Sequence, residues 1–331
     1  MIRRVAVIVP MLNEAAHLDH LVEDLRTQDF EGETRIFVAD GGSTDGSPGA
    51  LAAAASAVGL DLTVLDNPRR AAAAGLNVCL HEALAAEPDL IVRLDCHARY
   101  PADYVRRCAE VSSETGAWNV GGLFVPEGTT KTGRAVACAL ESPFGGHNWM
   151  PRRDVRQEVD TVFCGAFRPE AFERAGRYDE HVGTAEVEEL NIRIRKAGGT
   201  VVYDPGIWLT YFPRDSFRRV FVQYYRYGLN KAAVARKHRQ VVSARSLVPL
   251  AFVGSLAGLG AASAVSPLAR KALAAEVGLY GACALAFGVA ALRRRKESLG
   301  LLPRVAAIFP VFHVAHGLGG IHGRLREARR R

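Results

Sequence analysis

The sequence predicts an α/β domain followed by a group of apolar helices. Three observations support this prediction. Short apolar runs alternate with helical segments as far as Tyr211, each run ends in polar, turn-forming residues, and long uncharged stretches follow Asn230. We therefore expect an α/β domain at residues 1–230, a basic linker at 231–246 and a membrane region at 247–331.

The first β–α–β unit lies within residues 5–47. Its strands, at 5–9 and 36–39, end in polar residues that include Glu14 and Asp40. In an open parallel sheet a ligand binds outside the carboxyl ends of the strands, so these two carboxylates are expected to face one crevice. They suit the sugar hydroxyls or base N–H groups of a nucleotide; the alternative is that they only cap helices.

Two further strands extend the predicted sheet. Residues 62–65 form one of them, an alanine-rich helix follows at 71–86, and the strand at 89–94 leads into Asp95 and His97. A lone histidine beside a strand end is more often structural than functional, so the pattern alone leaves both roles open for His97.

These segments resemble the motifs of the family 2 glycosyltransferases. That family usually opens with V-x-x-P-x-x-N-E and then D-D-G-S-x-D-G, and this chain has Gly41 in place of the second paired acid. The resemblance implies a GT-A fold, which is Rossmann-like, and a nucleotide-sugar donor. It also implies that the donor contacts five residues in this part of the chain: Pro10, Glu14, Asp40, Arg70 and Asn77. The charge pattern alone favours a solvated loop over a phosphate clamp for Arg69 and Arg70.

A candidate metal site lies in the R-x-D-x-H-A segment that begins at Arg93, where most family members carry D-x-D. The variant resembles the branch that includes the succinoglycan-type exopolysaccharide glucosyltransferases, which implies that Asp95 and His97 hold a cation and that Asp95 also contacts the donor. A divalent cation neutralises a leaving diphosphate. Imidazole is a softer ligand than carboxylate, so His97 shifts the preference from Mg²⁺ toward Mn²⁺, and we expect one of these two ions.

The catalytic base is the point at which the chain departs from the family. An inverting transferase needs a carboxylate to accept the proton of the acceptor hydroxyl, and the family places it in E-D-x-E-L-N-x-R. This chain reads E-V-E-E-L-N-I-R, so Val187 occupies the aspartate position. Glu186 is the first candidate for the base and Glu188 the second; alternatively, these acids only favour a helix N-terminus. Glu189 and Arg193 are predicted to form an exposed i,i+4 pair.

Two other segments carry weaker signals. The QYYRYG segment resembles the Q-x-x-R-W element of processive family members, with Tyr227 replacing tryptophan, which implies that Gln223 and Arg226 contact the donor. The alternative there is an amphipathic helix. The Gly-rich segment 141–148 is a candidate acceptor-facing loop, although His147 is equally consistent with a merely exposed side chain.

The last third of the chain predicts membrane association. Residues 247–265 carry no charge and are long enough for roughly 28 Å of helix, and 272–292 form a second span with a turn near Pro267. Basic flanks on the same side of both spans satisfy the positive-inside rule. Residues 301–321 predict a partly buried or interfacial helix; a soluble helical hairpin is the alternative for this region.

Charge and cysteine content indicate the compartment. The net charge of +7 is concentrated in basic clusters beside apolar runs, which favours anionic lipid headgroups over nucleic acid as partners. Six cysteines without a C-x-x-C pattern are typical of reduced thiols, and no signal peptide is recognised. We expect the α/β domain in the cytoplasm, at the inner face of the cell membrane.

The resemblance implies an inverting hexosyltransferase with a nucleotide-sugar donor, specifically a UDP-hexose, and a lipid-linked or polysaccharide acceptor in exopolysaccharide synthesis. Other polysaccharide-assembly proteins are candidate partners. A catalytically impaired transferase-like subunit of a membrane assembly is the first alternative, supported by Val187. A nucleotidyltransferase is the second, but its usual Gly-rich, Lys/Arg-containing signature near the N-terminus is missing.

Overall fold

A computed structural model describes residues 2–145, 154–240 and 244–329 of the chain. The chain divides into two compact units, Met1–Val125 with Arg152–Tyr211 and Pro126–Pro151 with Phe212–Arg331. The domain limits predicted at residues 230 and 246 stay a prediction. His147, in the candidate acceptor loop, lies outside the described residues.

The strands belong to one mixed sheet. They are β1 (Arg4–Met11), β2 (Glu33–Asp40), β3 (Leu62–Asp66), β4 (Leu90–Arg93), β5 (Ala98–Arg99), β6 (Asn119–Pro126), β7 (Gln157–Glu158), β8 (Phe163–Phe167) and β9 (Val201–Tyr211).

The α-helices of the first unit alternate with these strands, and the second unit is helical. In chain order the helices are α1 (Leu18–Arg26), α2 (Ser47–Ala57), α3 (Ala72–Ala85), α4 (Tyr104–Thr115), α5 (Lys131–Leu140), α6 (Pro169–Ala175), α7 (Glu186–Lys196), α8 (Phe217–His238), α9 (Leu247–Ala262), α10 (Pro267–Arg294) and α11 (Leu302–Ala328).

The strand order is β3-β2-β1-β4-β8-β6-β9-β5, with β7 also beside β9. The first four strands in this order are parallel, and β4 meets β8 in antiparallel pairing. The parallel part was expected from the β–α–β pattern. Met11 pairs with Asp40 and Ile8 pairs with Arg93, so the carboxyl ends of β1, β2 and β4 meet at one edge of the sheet.

The core of the first unit explains why β1 is an uninterrupted apolar run. Residues Val5, Val7 and Val9 are almost completely buried, and so are Ala6 and Ile8 on the other face. A parallel strand that is covered on both faces has no position for a polar side chain. Helix α3 packs against β1 and β2, and its Cys79 thiol donates to the carbonyl oxygen of Phe37 at 3.2 Å.

In the second unit, α8 and α11 form the largest helix contact, and glycines permit it. A Cβ atom at Gly319 would lie 2.0 Å from the carbonyl oxygen of Tyr225, and one at Gly323 would lie 2.6 Å from that of Leu229. The two backbones therefore touch, which is the packing mode of small-residue helix interfaces.

Among the described residues of this unit, three helical segments are long and apolar enough to cross a membrane: Ala244–Ala262, Pro267–Arg294 and Leu299–Ala328, whose most apolar stretches have mean hydropathies of 1.4, 1.7 and 1.4. The two predicted spans correspond to the first two, and the turn near Pro267 is where α10 begins. The third segment has 33% of its apolar stretch buried inside the protein, against 6% and 11% for the others. The partly buried or interfacial helix predicted at 301–321 stays a prediction.

The close approach of β6 to β9 predicts that Gly122 does not tolerate a larger side chain. A Cβ atom at Gly122 would lie 1.7 Å from the carbonyl oxygen of Ile207 and 2.5 Å from that of Asp204. Because both contacts are backbone atoms that cannot move independently, Gly122→Ala is expected to lower the apparent unfolding temperature of the full chain in detergent by about 2–12 °C. The temperature is measured by tryptophan fluorescence.

The matched control is Gly49→Ala in α2, where an added Cβ meets nothing within 4 Å. That change is expected to be neutral or to stabilise the helix by up to about 1 kcal/mol. Equal unfolding temperatures for the two variants would contradict the close β6–β9 approach.

Candidate active site

The turn after β2 is organised by Asp40. Its carboxylate accepts the backbone N–H of Gly42 at 3.0 Å, the N–H of Ser43 at 3.0 Å and the Ser43 hydroxyl at 2.6 Å. Asp40 therefore stabilises its own turn and does not cap α2, which begins after Gly46. The side chain is buried at the edge where the donor was predicted to bind.

The turn after β1 is tied to the turn after β2. The backbone N–H of Glu14 donates to the Ser47 hydroxyl at 3.0 Å, and the Asn13 side-chain oxygen accepts the N–H of Thr44 at 2.8 Å. Pro10, at the end of β1, pairs with Ala39 of β2. These contacts hold Pro10, Glu14 and Asp40 at one edge, as the sequence predicted.

Arg70 lies across the same turn. Its guanidinium donates to the carbonyl oxygens of Gly41 and Gly42, both at 2.9 Å. Arg70 has a left-handed backbone (φ 57°), which bends the chain back toward this turn. A Cβ atom at Gly42 would lie only 3.3 Å from the arginine side chain, so glycine permits this close contact.

Asn77 on α3 holds the segment 178–180. Its amide nitrogen donates to the Tyr178 carbonyl at 2.9 Å and to the Glu180 carboxylate at 3.0 Å, and its oxygen accepts the Tyr178 N–H at 3.0 Å. Arg69 forms an ion pair with Glu180. The hydrogen bond from Asn77 and the charge of Arg69 lower the pKa of Glu180.

The centre of the candidate site is a buried arginine between two carboxylates. The Arg93 guanidinium lies 3.1 Å from Glu186 Oε1 and 3.3 Å from Asp95 Oδ1. All three side chains are buried. Arg93 and Asp95 are two positions apart along one extended segment, where alternate residues share a face. Arg93 thus joins the end of β4 to the start of α7.

The pKa values in this cluster follow from burial and charge. Burial alone would raise the pKa of the Asp95 carboxyl, but the positive charges of Arg93 and His97 outweigh it, and the net shift is downward. Burial would lower the pKa of Arg93, yet Asp95 and Glu186 raise it well above its usual range. The cluster is therefore a guanidinium cation with at least one carboxylate anion at neutral pH.

The backbone of Asp95 is fixed by Tyr100. The Asp95 N–H donates to the Tyr100 hydroxyl oxygen at 2.7 Å, and the hydroxyl donates back to the Asp95 carbonyl at 3.3 Å. Tyr100 is buried, and its desolvation raises the pKa of the phenol well above its usual range. The hydroxyl is therefore neutral and serves to orient Asp95.

Of the two predicted metal ligands, His97 lies beside Glu14. His97 Nδ1 is 3.7 Å from Glu14 Oε1, and the His97 ring packs edge-on against Tyr211 with 6.1 Å between centroids. Among the described residues, no group of three or more His, Cys, Asp or Glu side chains is arranged to hold a metal ion. The Asp95 carboxylate and the His97 imidazole are two groups that can bind a divalent cation. A cation held by these two residues would take its remaining ligands from a donor diphosphate and water.

Helix α7 begins at Glu186, directly after a 3₁₀ turn at Gly183–Ala185. Glu186 and Glu188 therefore both lie in its first turn, and Val187 between them is half-buried. Glu186 Oε2 is buried without a hydrogen-bond partner in the part of the chain that the structure describes. This oxygen is the unused acceptor of the cluster.

The predicted ion pair between Glu189 and Arg193 on α7 is present, but the prediction that it is exposed was wrong. Arg193 binds Glu189 through two nitrogens at 2.7 to 2.9 Å, as i,i+4 spacing predicts, but Glu189 is completely buried. Arg193 also donates to the carbonyl oxygen of Arg177 at 2.7 Å and to that of Ala175. The pair therefore anchors α7 to the end of α6 and the segment after it. The prediction of exposure failed because i,i+4 spacing determines which side chains meet and does not show which other residues cover them.

Gln223 and Arg226 lie on α8, in the second unit. Gln223 donates to the Tyr227 hydroxyl at 2.9 Å, and Arg226 is exposed. Tyr224, on the apolar face of the same helix, stacks on Phe312 with 4.0 Å between centroids. The helix therefore has the amphipathic character that was the alternative interpretation, and the donor role of Gln223 and Arg226 stays a prediction.

Sequence reasoning gave Arg93 no role, although the structure places it at the centre of the cluster. One signal was available. Arg93 ends the strand run L-I-V-R, where a charge in an otherwise buried strand requires a buried partner. Its partner Glu186 lies 93 positions away, so no local pattern could identify the pair.

Comparison with known proteins identifies the family of this chain. Residues 6–174 match the sequence model of Glycosyl transferase family 2. The succinoglycan biosynthesis protein ExoA of Rhizobium meliloti (strain 1021) is 32% identical over 322 residues, which are 95% of this chain and 92% of that protein. The chain therefore belongs to glycosyltransferase family 2, and it is a glycosyltransferase.

Solved structures show the same fold. The mannosyltransferase PcManGT from Pyrobaculum calidifontis, solved in complex with GDP-Man and Mn²⁺, superposes with a TM-score of 0.65 at 22% identity, covering 93% of this chain and 87% of that one. S. aureus TarS superposes with a TM-score of 0.51 at 14% identity, covering 95% and 55%. The predicted GT-A domain followed by apolar helices is confirmed. Together with the ExoA relative, the apolar helices suggest membrane association.

Removal of Arg93 is expected to destabilise the fold strongly. Arg93→Gln leaves Asp95 and Glu186 buried without their shared cation, a change that costs about 3–5 kcal/mol, or about 6–20 °C in the apparent unfolding temperature. The control is Arg35→Gln, which breaks an exposed pair with Asp61 at 3.6 Å and is expected to cost less than about 1 kcal/mol. Similar losses in both variants would refute the importance of the buried pair.

The contribution of Asp95 to the pH dependence of stability is expected to have opposite signs in the wild type and in Arg93→Gln. In the wild type the pKa of Asp95 is lowered, so its contribution is present above the unfolded pKa of about 3.9 and is lost as the pH falls through the folded value. In Arg93→Gln, burial without the cation is expected to raise that pKa, so acidification from pH 7 to 5 should stabilise the variant relative to wild type. Unfolding temperatures measured at both pH values test this, and parallel curves for the two proteins would contradict it.

Proposed function

We propose that this glycosyltransferase inverts the anomeric carbon while it moves a hexose from a nucleotide sugar to a lipid-linked or polysaccharide acceptor. The proposed donor is a UDP-hexose, and the proposed process is cell-surface or exopolysaccharide synthesis. The observation that supports the proposal is the buried cluster at the carboxyl edge of the sheet, in which Arg93 joins Asp95 and Glu186. The ExoA relative, named for succinoglycan biosynthesis, supports the acceptor class.

The proposed donor site extends along the turns after β1, β2 and β4. Glu14 and Asp40 would offer acceptors for the nucleoside, and the resemblance to the family motif supports Arg70 and Asn77 as residues near the diphosphate. Asp40 and Asn77 already make several hydrogen bonds in their own segments. Their main contribution is therefore to hold the turns in the shape that receives the nucleotide, which is preorganisation of the binding surface.

Asp95 and His97 are the proposed ligands of Mn²⁺ or Mg²⁺, with Asp95 also facing the donor. Arg93 holds Asp95 as an anion, and Tyr100 fixes its backbone, so the carboxylate is oriented before the ion arrives. The bound cation would neutralise charge on the leaving diphosphate. The complex of PcManGT with GDP-Man and Mn²⁺ supports this assignment.

Glu186 is the proposed base, with Glu188 as the second candidate. As the acceptor oxygen bonds to the anomeric carbon and the nucleoside diphosphate leaves, a carboxylate must take the proton of that hydroxyl. Glu186 Oε1 is held by Arg93, and Oε2 has no partner among the described residues. Arg93 would thus orient one oxygen and leave the other to accept the proton.

The base is tested by release of UDP from membranes that contain the full chain, supplied with UDP-sugars, Mn²⁺ and an acceptor-rich lipid extract. Glu186→Gln keeps the hydrogen bond to Arg93 and is expected to lower turnover by about 10²- to 10⁴-fold, because it removes the proton acceptor. Glu188→Gln is the matched control, with turnover expected within about threefold of wild type. The reverse order of effects would assign the base to Glu188.

The metal site is tested by substitution of His97, the softer of the two proposed ligands. His97→Asp restores the D-x-D pattern of most family members and is expected to lower the ratio of turnover with Mn²⁺ to turnover with Mg²⁺, because a carboxylate is a harder ligand than imidazole. Asp95→Asn and a chelator are both expected to abolish turnover. Full turnover of wild type in chelator would exclude a required divalent cation.

The second candidate function is a transferase-like subunit that binds a nucleotide sugar without turning it over, and Val187 in the place of the family's aspartate supports it. Val187→Asp separates the two. If Glu186 is the base, this substitution is expected to change turnover by less than about tenfold. Donor binding without turnover in the wild type, together with turnover in Val187→Asp, would instead establish an impaired subunit.

The proposed location is the cell membrane, with the α/β domain on the cytoplasmic side. Basic residues that precede α9 and follow α10 support that orientation by the positive-inside rule. A membrane-held active site would meet a lipid-linked acceptor at the bilayer surface. Other polysaccharide-assembly proteins remain proposed partners.

A further inference from the structure

A cleft in the helical unit lies between α8, α11 and the turn that precedes α9. Its floor is made of backbone and small residues, because a Cβ atom at Gly228 would lie 2.0 Å from the carbonyl oxygen of His316 and 2.8 Å from the nitrogen of Gly320. Glycine at these positions brings the two helices into direct contact. Longer side chains from the flanking positions then converge on the space that is left.

The lining of the cleft is positively charged. Lys231 of α8 and Arg324 of α11 both line it, and Ser246 contributes a hydroxyl. None of the described residues that line it is acidic. Glu327, one turn further along α11, is paired with Arg236 of α8. Two cations in one small space favour an anionic ligand.

A buried nitrogen in the lining has unused hydrogen-bonding capacity. His316 Nδ1 is buried and has no hydrogen-bond partner within the described segments of the chain. Buried polar atoms are almost always satisfied by protein, water or a ligand. When this nitrogen carries the ring proton it can donate to an anionic oxygen.

The position and size of the cleft define the ligand further. Ser246 immediately precedes Leu247, where α9 begins, so the cleft lies at the end of an apolar span, which is the level of lipid headgroups. Its volume is about 30 Å³, comparable to the space of one or two waters. That volume suits the oxygens of one phosphate group entering from the open side, and it is too small to enclose a sugar ring.

We propose that this cleft binds the phosphate group of a membrane lipid, with Lys231 and Arg324 as cationic partners and with His316 and Ser246 as hydrogen-bonding partners. Two lipids carry this chemistry: an anionic glycerophospholipid, and a polyprenyl diphosphate of the kind that carries saccharides. Lipid binding in this cleft is inferred without reference to the proposed glycosyl transfer reaction. Binding can therefore be measured without donor, and its failure would leave the transferase proposal unaffected.

The test is native mass spectrometry of the full chain in neutral detergent, titrated separately with phosphatidylglycerol, phosphatidylcholine, undecaprenyl diphosphate and inorganic phosphate. The cleft variant is Lys231→Gln with Arg324→Gln. The control is Lys237→Gln with Arg326→Gln, which removes the same charge from exposed positions on the same two helices. A third variant, Lys231→Arg with Arg324→Lys, keeps both charges and controls for folding.

The wild type is expected to bind at least one of the two phosphate lipids, and the cleft variant to bind it about tenfold or more weakly, as loss of charge-assisted contacts predicts. The control and the charge-keeping variant are expected to stay within about threefold of wild type. Tighter binding of phosphatidylglycerol would identify a structural lipid, and tighter binding of undecaprenyl diphosphate would identify a carrier lipid. Equal weakening in the cleft variant and the control, or phosphate binding as tight as lipid binding, would overturn the proposal.

Discussion

The ion pairs of the buried Arg93 are the interaction on which the candidate active site depends. Arg93 carries a positive charge where the sheet is otherwise apolar, and it is stable there because Asp95 and Glu186 share that charge. Removing one partner of such a group leaves an uncompensated buried charge, so the three side chains form one unit. This unit connects the end of a strand to the first turn of a helix, and it places the proposed metal ligand and the proposed base on one guanidinium.

Around this unit, most polar groups of the site are engaged in holding turns. Asp40 binds the turn that follows it, Arg70 lies across two carbonyl groups of that turn, and Asn77 holds the segment at Tyr178. A site built in this way has its shape before the donor arrives, so binding energy is not used to order the loops. Within the cluster, two buried side-chain atoms have no hydrogen-bond partner among the described residues, the acceptor Glu186 Oε2 and the donor Arg93 Nε.

The helical unit uses a different principle, which is close backbone contact between α8 and α11. Glycine at Gly228, Gly319 and Gly323 permits this contact. The same two helices carry Lys231 and Arg324, which both line the cleft near the end of an apolar span. Small residues therefore determine both the packing of the helices and the positive cleft between them.

The sequence by itself determined the class of fold, the family and the approximate limits of the parallel strands. It also determined the edge of the sheet at which Glu14, Asp40 and Asp95 lie. These features could be predicted because the alternation of apolar residues and the ordered motifs are local signals. The tertiary structure decided what Arg93 does and how deeply Glu189 is buried. Both depend on contacts between segments far apart in the chain. Periodicity shows which residues share a face of an element, whereas burial and ion pairing depend on what the fold packs against that face.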